Sequence, residues 1–186
     1  MILLALGVVL FAACHLTLAF PHARENLRAR LGKFYGPAFG IASLIPLGLI
    51  ILGWRMAPFS PVYDAPAWGK IATFALVLIA FLCLGIFMFR GTLRQKLRFP
   101  LALGVAFWSL GHLFSNGDAA SLILFGGMLI YALAHFGLGI ANGVRPSPEV
   151  RQGHDVISLI IGAALCGVFA QLHPVFTGVP VVTLSL

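Results

Sequence analysis

Histidine is the residue type whose placement in this chain points most directly to chemistry. The segment Pro100 to Ala120, PLALGVAFWSLGHLFSNGDAA, is largely apolar and carries His112, with Ser109, Asn116 and Asp118 close by in sequence. An ionisable side chain inside a membrane segment is costly, so it usually faces the protein interior and marks a ligand site or pathway. A neutral imidazole is also a common ligand of iron, zinc and copper. His112 is therefore the first candidate site residue.

Three further histidines, His15, His135 and His173, lie in apolar stretches. At 1.5 Å per residue, their depths from the predicted cytoplasmic ends of their helices are about 8, 9 and 25 Å, against about 16 Å for His112. Depth alone pairs His15 with His135, and two histidines from different helices can hold a cofactor between them. The simpler alternative is that each ring donates to a neighbouring carbonyl or packs at an interface, which applies most to His173 near the outer surface.

The polar residues after His112 allow two interpretations. Asn116 and Asp118 could hold the tautomer of the imidazole and relay protons. We favour the alternative, in which they form a turn and Asp118 caps the next helix. The sequence contains no C-x-x-C or H-E-x-x-H pattern and no carboxylate cluster, so it predicts neither a zinc site nor a nucleophilic triad.

The elements that must position these side chains are membrane helices. The chain has 186 residues, of which 60% are hydrophobic and 9% charged, with a mean hydropathy of +1.02. This composition excludes a soluble globule and predicts an all-α polytopic membrane bundle forming one domain over residues 1–186. The six predicted transmembrane helices are Met1–Phe20, Tyr35–Trp54, Trp68–Phe89, Leu101–Phe114, Ala120–Ala141 and Val156–Leu172.

The basic residues predict the topology. Of the twelve Lys and Arg residues, only Arg55 and Lys70 are assigned to the second loop, Lys70 at the very start of the third helix, and the others fall in the first, third and fifth loops. Because cytoplasmic loops carry the Lys/Arg excess, both termini are predicted on the periplasmic side of a bacterial inner membrane. The net charge of +7 is confined to these short loops, so we predict no nucleic-acid partner.

Several short motifs are spread along nearly the whole chain. They are His15-Leu16 with Pro21, Arg24 and the run Arg28-Ala29-Arg30-Leu31-Gly32; Phe107-Trp108, Gly111-His112-Leu113 and Asn116-Gly117-Asp118; and His173-Pro174 with Gly178-Val179-Pro180. Together they resemble the NnrU family of bacterial integral membrane proteins, and the segment around His112 is the most specific part. The resemblance implies a single NnrU-like transmembrane domain.

The resemblance also implies a cofactor. The NnrU family is associated with gene clusters for nitrite and nitric oxide reduction, and it is similar to zeta-carotene isomerase, a membrane enzyme that binds heme b. The heme histidines of that enzyme correspond to His15 and His112, which makes these two the implied axial and metal ligands, with His135 as the substitute. Ser109, Asn116 and Asp118 are the implied surrounding residues, and Ser109 stands where the isomerase carries a cysteine.

Two classes of function follow. The first is a heme b protein that supports nitrite and nitric oxide reduction, that is denitrification, through electron transfer, redox sensing or an isomerase-like reaction. The second is a non-enzymatic accessory or assembly protein whose partners are nitrogen-oxide reductase components. A small membrane methyltransferase is less favoured, because Phe99 replaces the histidine of its Arg-His-Pro motif and nothing after Asp155 is acidic. Solute transport is less favoured because the chain has no inverted halves.

Overall fold

A computed structural model describes residues 1–181 of the chain, and over these residues it is helical with no β-strand. In chain order the helices are α1 (Ile2–Leu16), α2 (Pro21–Leu31), α3 (Tyr35–Met56), α4 (Gly69–Met88), α5 (Thr92–Leu97), α6 (Pro100–Ser115), α7 (Ala119–Ala141) and α8 (His154–Thr177). The chain separates into two compact units. Unit 1 contains α1, α2, α3 and α7, and unit 2 contains α4, α5, α6 and α8.

Five helical segments of the described chain are long and apolar enough to cross a membrane: Ile2–Ala19, Pro21–Met56, Gly69–Met88, Ala119–Ala141 and His154–Thr177. The remaining predicted span, Leu101–Phe114, corresponds to α6, an apolar helix of 16 residues. A helix needs about 20 residues to cross a hydrocarbon core of about 30 Å, so α6 is short for a span. The multi-pass helical prediction is confirmed, and the count of six stays a prediction.

The loop predicted between the first two spans is itself helical. Helix α2 has the sequence PHARENLRARL, begins with Pro21 and buries none of its residues. Proline suits the first helical position because its missing N–H would have no intrahelical partner there. The Ala, Arg, Glu and Leu that follow favour helix. Hydropathy indicated a loop here because the segment is polar on every side.

In unit 1, small residues allow α1 to approach its neighbours closely. A Cβ added at Gly7 would lie 2.8 Å from the backbone nitrogen of Ile50 in α3, and one added at Gly127 of α7 would lie 2.6 Å from Cγ1 of Val8. Glycine at such contacts lets helix backbones pack closely where lipid supplies no hydrophobic driving force between helices. The packing places the side chains of α1 against both α3 and α7.

In unit 2, α4 is the central helix and contacts both α6 and α8. A Cβ added at Gly104 of α6 would lie 2.9 Å from the carbonyl oxygen of Ala80, and one at Gly162 of α8 would lie 2.6 Å from that of Phe81. The hydroxyl of Thr73 in α4 lies 2.7 Å from the carbonyl oxygen of Gly111. These contacts fix α6 against α4 next to His112.

The connection between α4 and α5 is bonded to the start of α8. The carboxylate of Asp155 accepts hydrogen bonds from the backbone nitrogens of Thr92 (3.1 Å) and Leu93 (2.9 Å), at the beginning of α5. The Nδ1 atom of His154 accepts one from the backbone nitrogen of Arg90 at 3.1 Å. Side-chain oxygens at a helix start satisfy N–H groups that have no partner within the helix. Helix α5 has only six residues, so it depends on such contacts for its stability.

Candidate histidine sites in two helical units

His15 lies in the last turn of α1. Its Nδ1 atom is 2.9 Å from the carbonyl oxygen of Phe11, one turn earlier. Because a carbonyl can only accept, Nδ1 carries the proton and Nε2 carries the lone pair that a metal would take. The ring stacks on Phe11, with centroids 3.9 Å apart, and meets the edge of Phe39 at 5.4 Å. These aromatic contacts fix the orientation of the imidazole.

The same unit brings His135 towards His15. Tyr131, which is buried in α7, contacts both rings, with its centroid 6.2 Å from that of His15 and 5.9 Å from that of His135. His135 also interacts electrostatically with His15. The pairing that predicted depth favours is therefore the one that occurs within unit 1.

His112 lies in the last turn of α6, in unit 2. Its Nδ1 atom donates to the carbonyl oxygen of Trp108 at 2.8 Å, so its lone pair is again on Nε2. The Trp108 ring lies 5.2 Å from the imidazole between centroids. The side chain and the backbone nitrogen of Asn116 both donate to the carbonyl oxygen of His112, at 2.8 and 2.9 Å. Asn116 thus caps the C-terminal end of α6.

His173, in α8, lies beside His112. The two imidazole centroids are 6.4 Å apart and their planes differ by 16°. The Nδ1 atom of His173 donates to the carbonyl oxygen of Val179 at 2.7 Å, and the hydroxyl of Thr177 lies 3.1 Å from the same nitrogen. Sequence reasoning missed this pair, because the depth estimates separated its members. Those estimates assume helices parallel to the membrane normal, whereas membrane helices tilt by about 20° on average.

Of the predicted surrounding residues, Asp118 has a structural role and Ser109 is buried close to His112 in sequence. Asp118 caps α7, since its carboxylate accepts from the backbone nitrogen of Ser121 at 3.1 Å and from its hydroxyl at 2.5 Å. The favoured capping interpretation is therefore correct. Ser109 lies one turn before His112 and is fully buried, and its hydroxyl has no hydrogen-bond partner among the described residues.

Of the two ligands that the family resemblance implies, His15 lies in unit 1 and His112 lies in unit 2. Within its own unit, His15 has His135 as its histidine neighbour, and His112 has His173. Among the described residues, no group of three or more His, Cys, Asp or Glu side chains is arranged to hold a metal ion.

Long apolar helices with half-buried histidines define a multi-pass helical membrane protein. Large apolar side chains such as Ile71 (76% exposed) and Ile130 (70% exposed) lie on the outside of these helices, where lipid would cover them. The model of the NnrU protein family matches residues 3–181, and the chain belongs to that family. No curated protein and no solved structure matches the chain.

Proposed function

We propose that the chain is an inner-membrane heme b protein that supports nitrite and nitric oxide reduction, with His15 and His112 as its axial-ligand candidates and His135 as the substitute. The family of the chain supports the biological role. The observation that supports a heme cofactor is that both imidazoles donate Nδ1–H to the carbonyl oxygen one turn earlier. Such a bond fixes the tautomer and orientation that a metal-ligating histidine needs.

The donor chemistry of both sites fits heme iron. Each imidazole is half-buried on an apolar membrane helix and presents a lone pair on Nε2. A bound heme b would supply one-electron chemistry at its iron. A heme held by both His15 and His112 would favour electron transfer over activation of a substrate, because neither imidazole would leave room for a substrate at the iron. Of the two functions, we therefore favour a redox role over an isomerase-like reaction.

The test is the visible spectrum, oxidised and dithionite-reduced, of the full chain purified in detergent after expression with ample heme supply. We expect a Soret band and sharp reduced α and β bands in the wild type. The bands should be lost in His15→Ala and His112→Ala and retained in His135→Ala. His22→Ala is the matched control, because His22 is exposed on α2. Added imidazole should restore the bands in the two ligand variants.

Two results would contradict this proposal. The absence of a Soret band in the wild type would favour the accessory or assembly protein, and co-purification with a reductase component would then be the next measurement. Retention of the bands in His112→Ala with loss in His135→Ala would move the cofactor to the histidine pair of unit 1.

A further inference from the structure

Helix α2 is a polar helix joined closely at both ends to helices of the membrane. A single residue separates it from the apolar segment Ile2–Ala19, and three residues separate it from the start of α3. Helix α3 has 22 residues, which is enough to cross a hydrocarbon core of about 30 Å without any contribution from α2. Gly32, with a φ of +51°, ends α2 before α3 begins. The short connections therefore hold α2 at the membrane surface.

The charge at this surface is strongly positive. The basic residues of α2 and of the connection that follows it are Arg24, Arg28, Arg30 and Lys33, and the only acidic residue there is Glu25. Within residues 1–181, none of the four basic side chains forms an ion pair. Lys and Arg side chains that lie next to a membrane are attracted to anionic lipid headgroups.

One face of α2 combines positive charge with apolar side chains. Arg24, Leu27, Arg28 and Leu31 follow the spacing i, i+3, i+4 and i+7, which places them on the same side of a helix. Leu27 and Leu31 are 39% and 38% exposed, so the described chain does not cover this face. Side chains of this kind suit the boundary between acyl chains and headgroups, because leucine contacts the former and arginine reaches the latter.

The two arginines on this face are placed for a shared anion. They lie one helical turn apart, a spacing at which side chains are neighbours. The guanidinium carbon of Arg28 lies 5.2 Å from the ring centroid of Tyr35 at the start of α3. Arg24 is half-buried, and its buried Nε atom has no hydrogen-bond partner among the described residues. A buried N–H group without an acceptor is costly, and a phosphate oxygen is an acceptor that suits the guanidinium fork.

We propose that Arg24 and Arg28 bind the phosphate of an anionic phospholipid headgroup at the membrane surface. Leu27 and Leu31 contact the glycerol backbone and the first acyl carbons of the same lipid. The site involves none of the histidines and does not depend on the proposed heme function. Helix α2 is thereby a lipid-binding element in addition to the connection between α1 and α3.

The position of the site favours a lipid over a free phosphate ion. The connections to α1 and α3 hold the two arginines at the depth of the headgroups, where the local concentration of lipid phosphate is high. The exposed leucines beside them gain from contact with acyl carbons, whereas a free ion offers them no apolar surface.

The experiment measures lipid binding to the full chain in a nonionic detergent by native mass spectrometry. Phosphatidylglycerol is the anionic probe and phosphatidylcholine is the zwitterionic one, each titrated separately. We expect the wild type to bind phosphatidylglycerol about 10-fold more tightly than phosphatidylcholine. In Arg24→Gln/Arg28→Gln, the affinity for phosphatidylglycerol should fall by about 10- to 30-fold, since each basic side chain near an anionic surface contributes about 5-fold.

Two further double variants separate a specific site from general charge. Lys70→Gln/Lys96→Gln removes the same charge from exposed residues of unit 2 and is the matched control, so its affinity for phosphatidylglycerol should equal that of the wild type. Arg24→Lys/Arg28→Lys keeps the charge but loses the guanidinium fork, and its affinity should lie between those of the wild type and the Gln variant. Gel filtration and far-UV circular dichroism verify that each variant is folded.

Three results would overturn the proposal. Equal binding of the two lipids by the wild type would do so, and would leave an acidic partner protein as the candidate ligand of α2. An equal loss of phosphatidylglycerol binding in the control variant would show that only the overall charge matters. Displacement of bound phosphatidylglycerol by inorganic phosphate at the same concentration would assign a site for a free anion instead.

Discussion

Three histidine side chains are oriented in the same way, by donation from Nδ1 to a backbone carbonyl. For His15 and His112 the acceptor is the carbonyl oxygen one turn earlier in the same helix. For His173 it is the carbonyl oxygen of Val179, which lies after the C-terminal end of α8. A carbonyl four residues earlier is available to every helical histidine. The sequence therefore shows that the contact can form, but only the packed neighbours, such as Phe11, show that the ring adopts it.

An exposed carboxylate illustrates how local charge contributes to stability. Glu149 accepts hydrogen bonds from Arg151 at 3.1 and 3.2 Å and forms an ion pair with Arg90. The hydrogen bond from Arg151 and the charge of Arg90 lower the pKa of Glu149 below its ordinary value. The ionised form is thus favoured in the folded chain.

This lowered pKa predicts a pH dependence of stability. A carboxyl group with a depressed pKa in the folded state stabilises it above the ordinary pKa, and the contribution is lost as the pH falls through the depressed value. Wild type should therefore have a slightly higher apparent melting temperature than Glu149→Gln at pH 7. The difference should vanish below about pH 4 and shrink in high salt. A difference that grows on acidification would contradict the assignment.

Glycines at helix crossings determine how closely the elements pack. In α8, a Cβ at Gly162 would lie 2.6 Å from the carbonyl oxygen of Phe81 and 2.9 Å from Cα of Leu82, whereas one at Gly167 has nothing within 4 Å. Both glycines lie on the same helix, five residues apart. The first is buried against α4, and the second is exposed.

We expect Gly162→Ala to destabilise the protein by about 1–3 kcal/mol, because overpacking forces the two helix backbones apart. Gly167→Ala is the matched control and should be neutral or stabilising by up to about 1 kcal/mol, since alanine favours helix over glycine. Thermal unfolding of the two variants in the same detergent measures the difference. Equal melting temperatures would show that α4 and α8 do not cross at Gly162.

Secondary structure was predictable for the long apolar elements and less so for the short polar ones. The ends of α3 lie within two residues of the predicted span and those of α8 within five, because mean hydropathy is a local property. Helices α2 and α5 were not predicted. The first is polar all round, and the second begins where Asp155, more than 60 residues later, supplies its caps. A contact at that sequence distance leaves no local signal.

The orientation of the whole chain in the membrane is a prediction from its charges. The positive-inside rule places the loop that contains Ser147 in the cytoplasm and the loop that contains Ser60 outside. Both residues are exposed. The native cysteines, Cys14, Cys83 and Cys166, all lie within apolar helices rather than in these loops.

Single cysteines can test this orientation. In intact bacterial cells, a membrane-impermeant maleimide should label Ser60→Cys and should not label Ser147→Cys until the membrane is opened. The wild-type chain measures the background from the native cysteines. Labelling of Ser147→Cys alone in intact cells would show the inverse orientation and would reverse every histidine depth derived from it.

Composition and hydropathy determined the class of this protein without any tertiary information. With 60% hydrophobic residues arranged in long runs, the chain must satisfy its backbone hydrogen bonds internally in lipid, and helices do so segment by segment. The family motifs around His112 are likewise readable from the chain, and the family is shown over residues 3–181.

Only the tertiary structure decided which histidines are neighbours. Helical spacing specifies the position of a side chain along its own helix, whereas contact between helices depends on tilt, rotation and the close approach that glycines permit. His112 and His173 differ by about 9 Å in predicted depth, yet their rings lie 6.4 Å apart. The contact between His112 and His173 could therefore not be predicted from the sequence, since it arises from packing between segments that are distant along the chain.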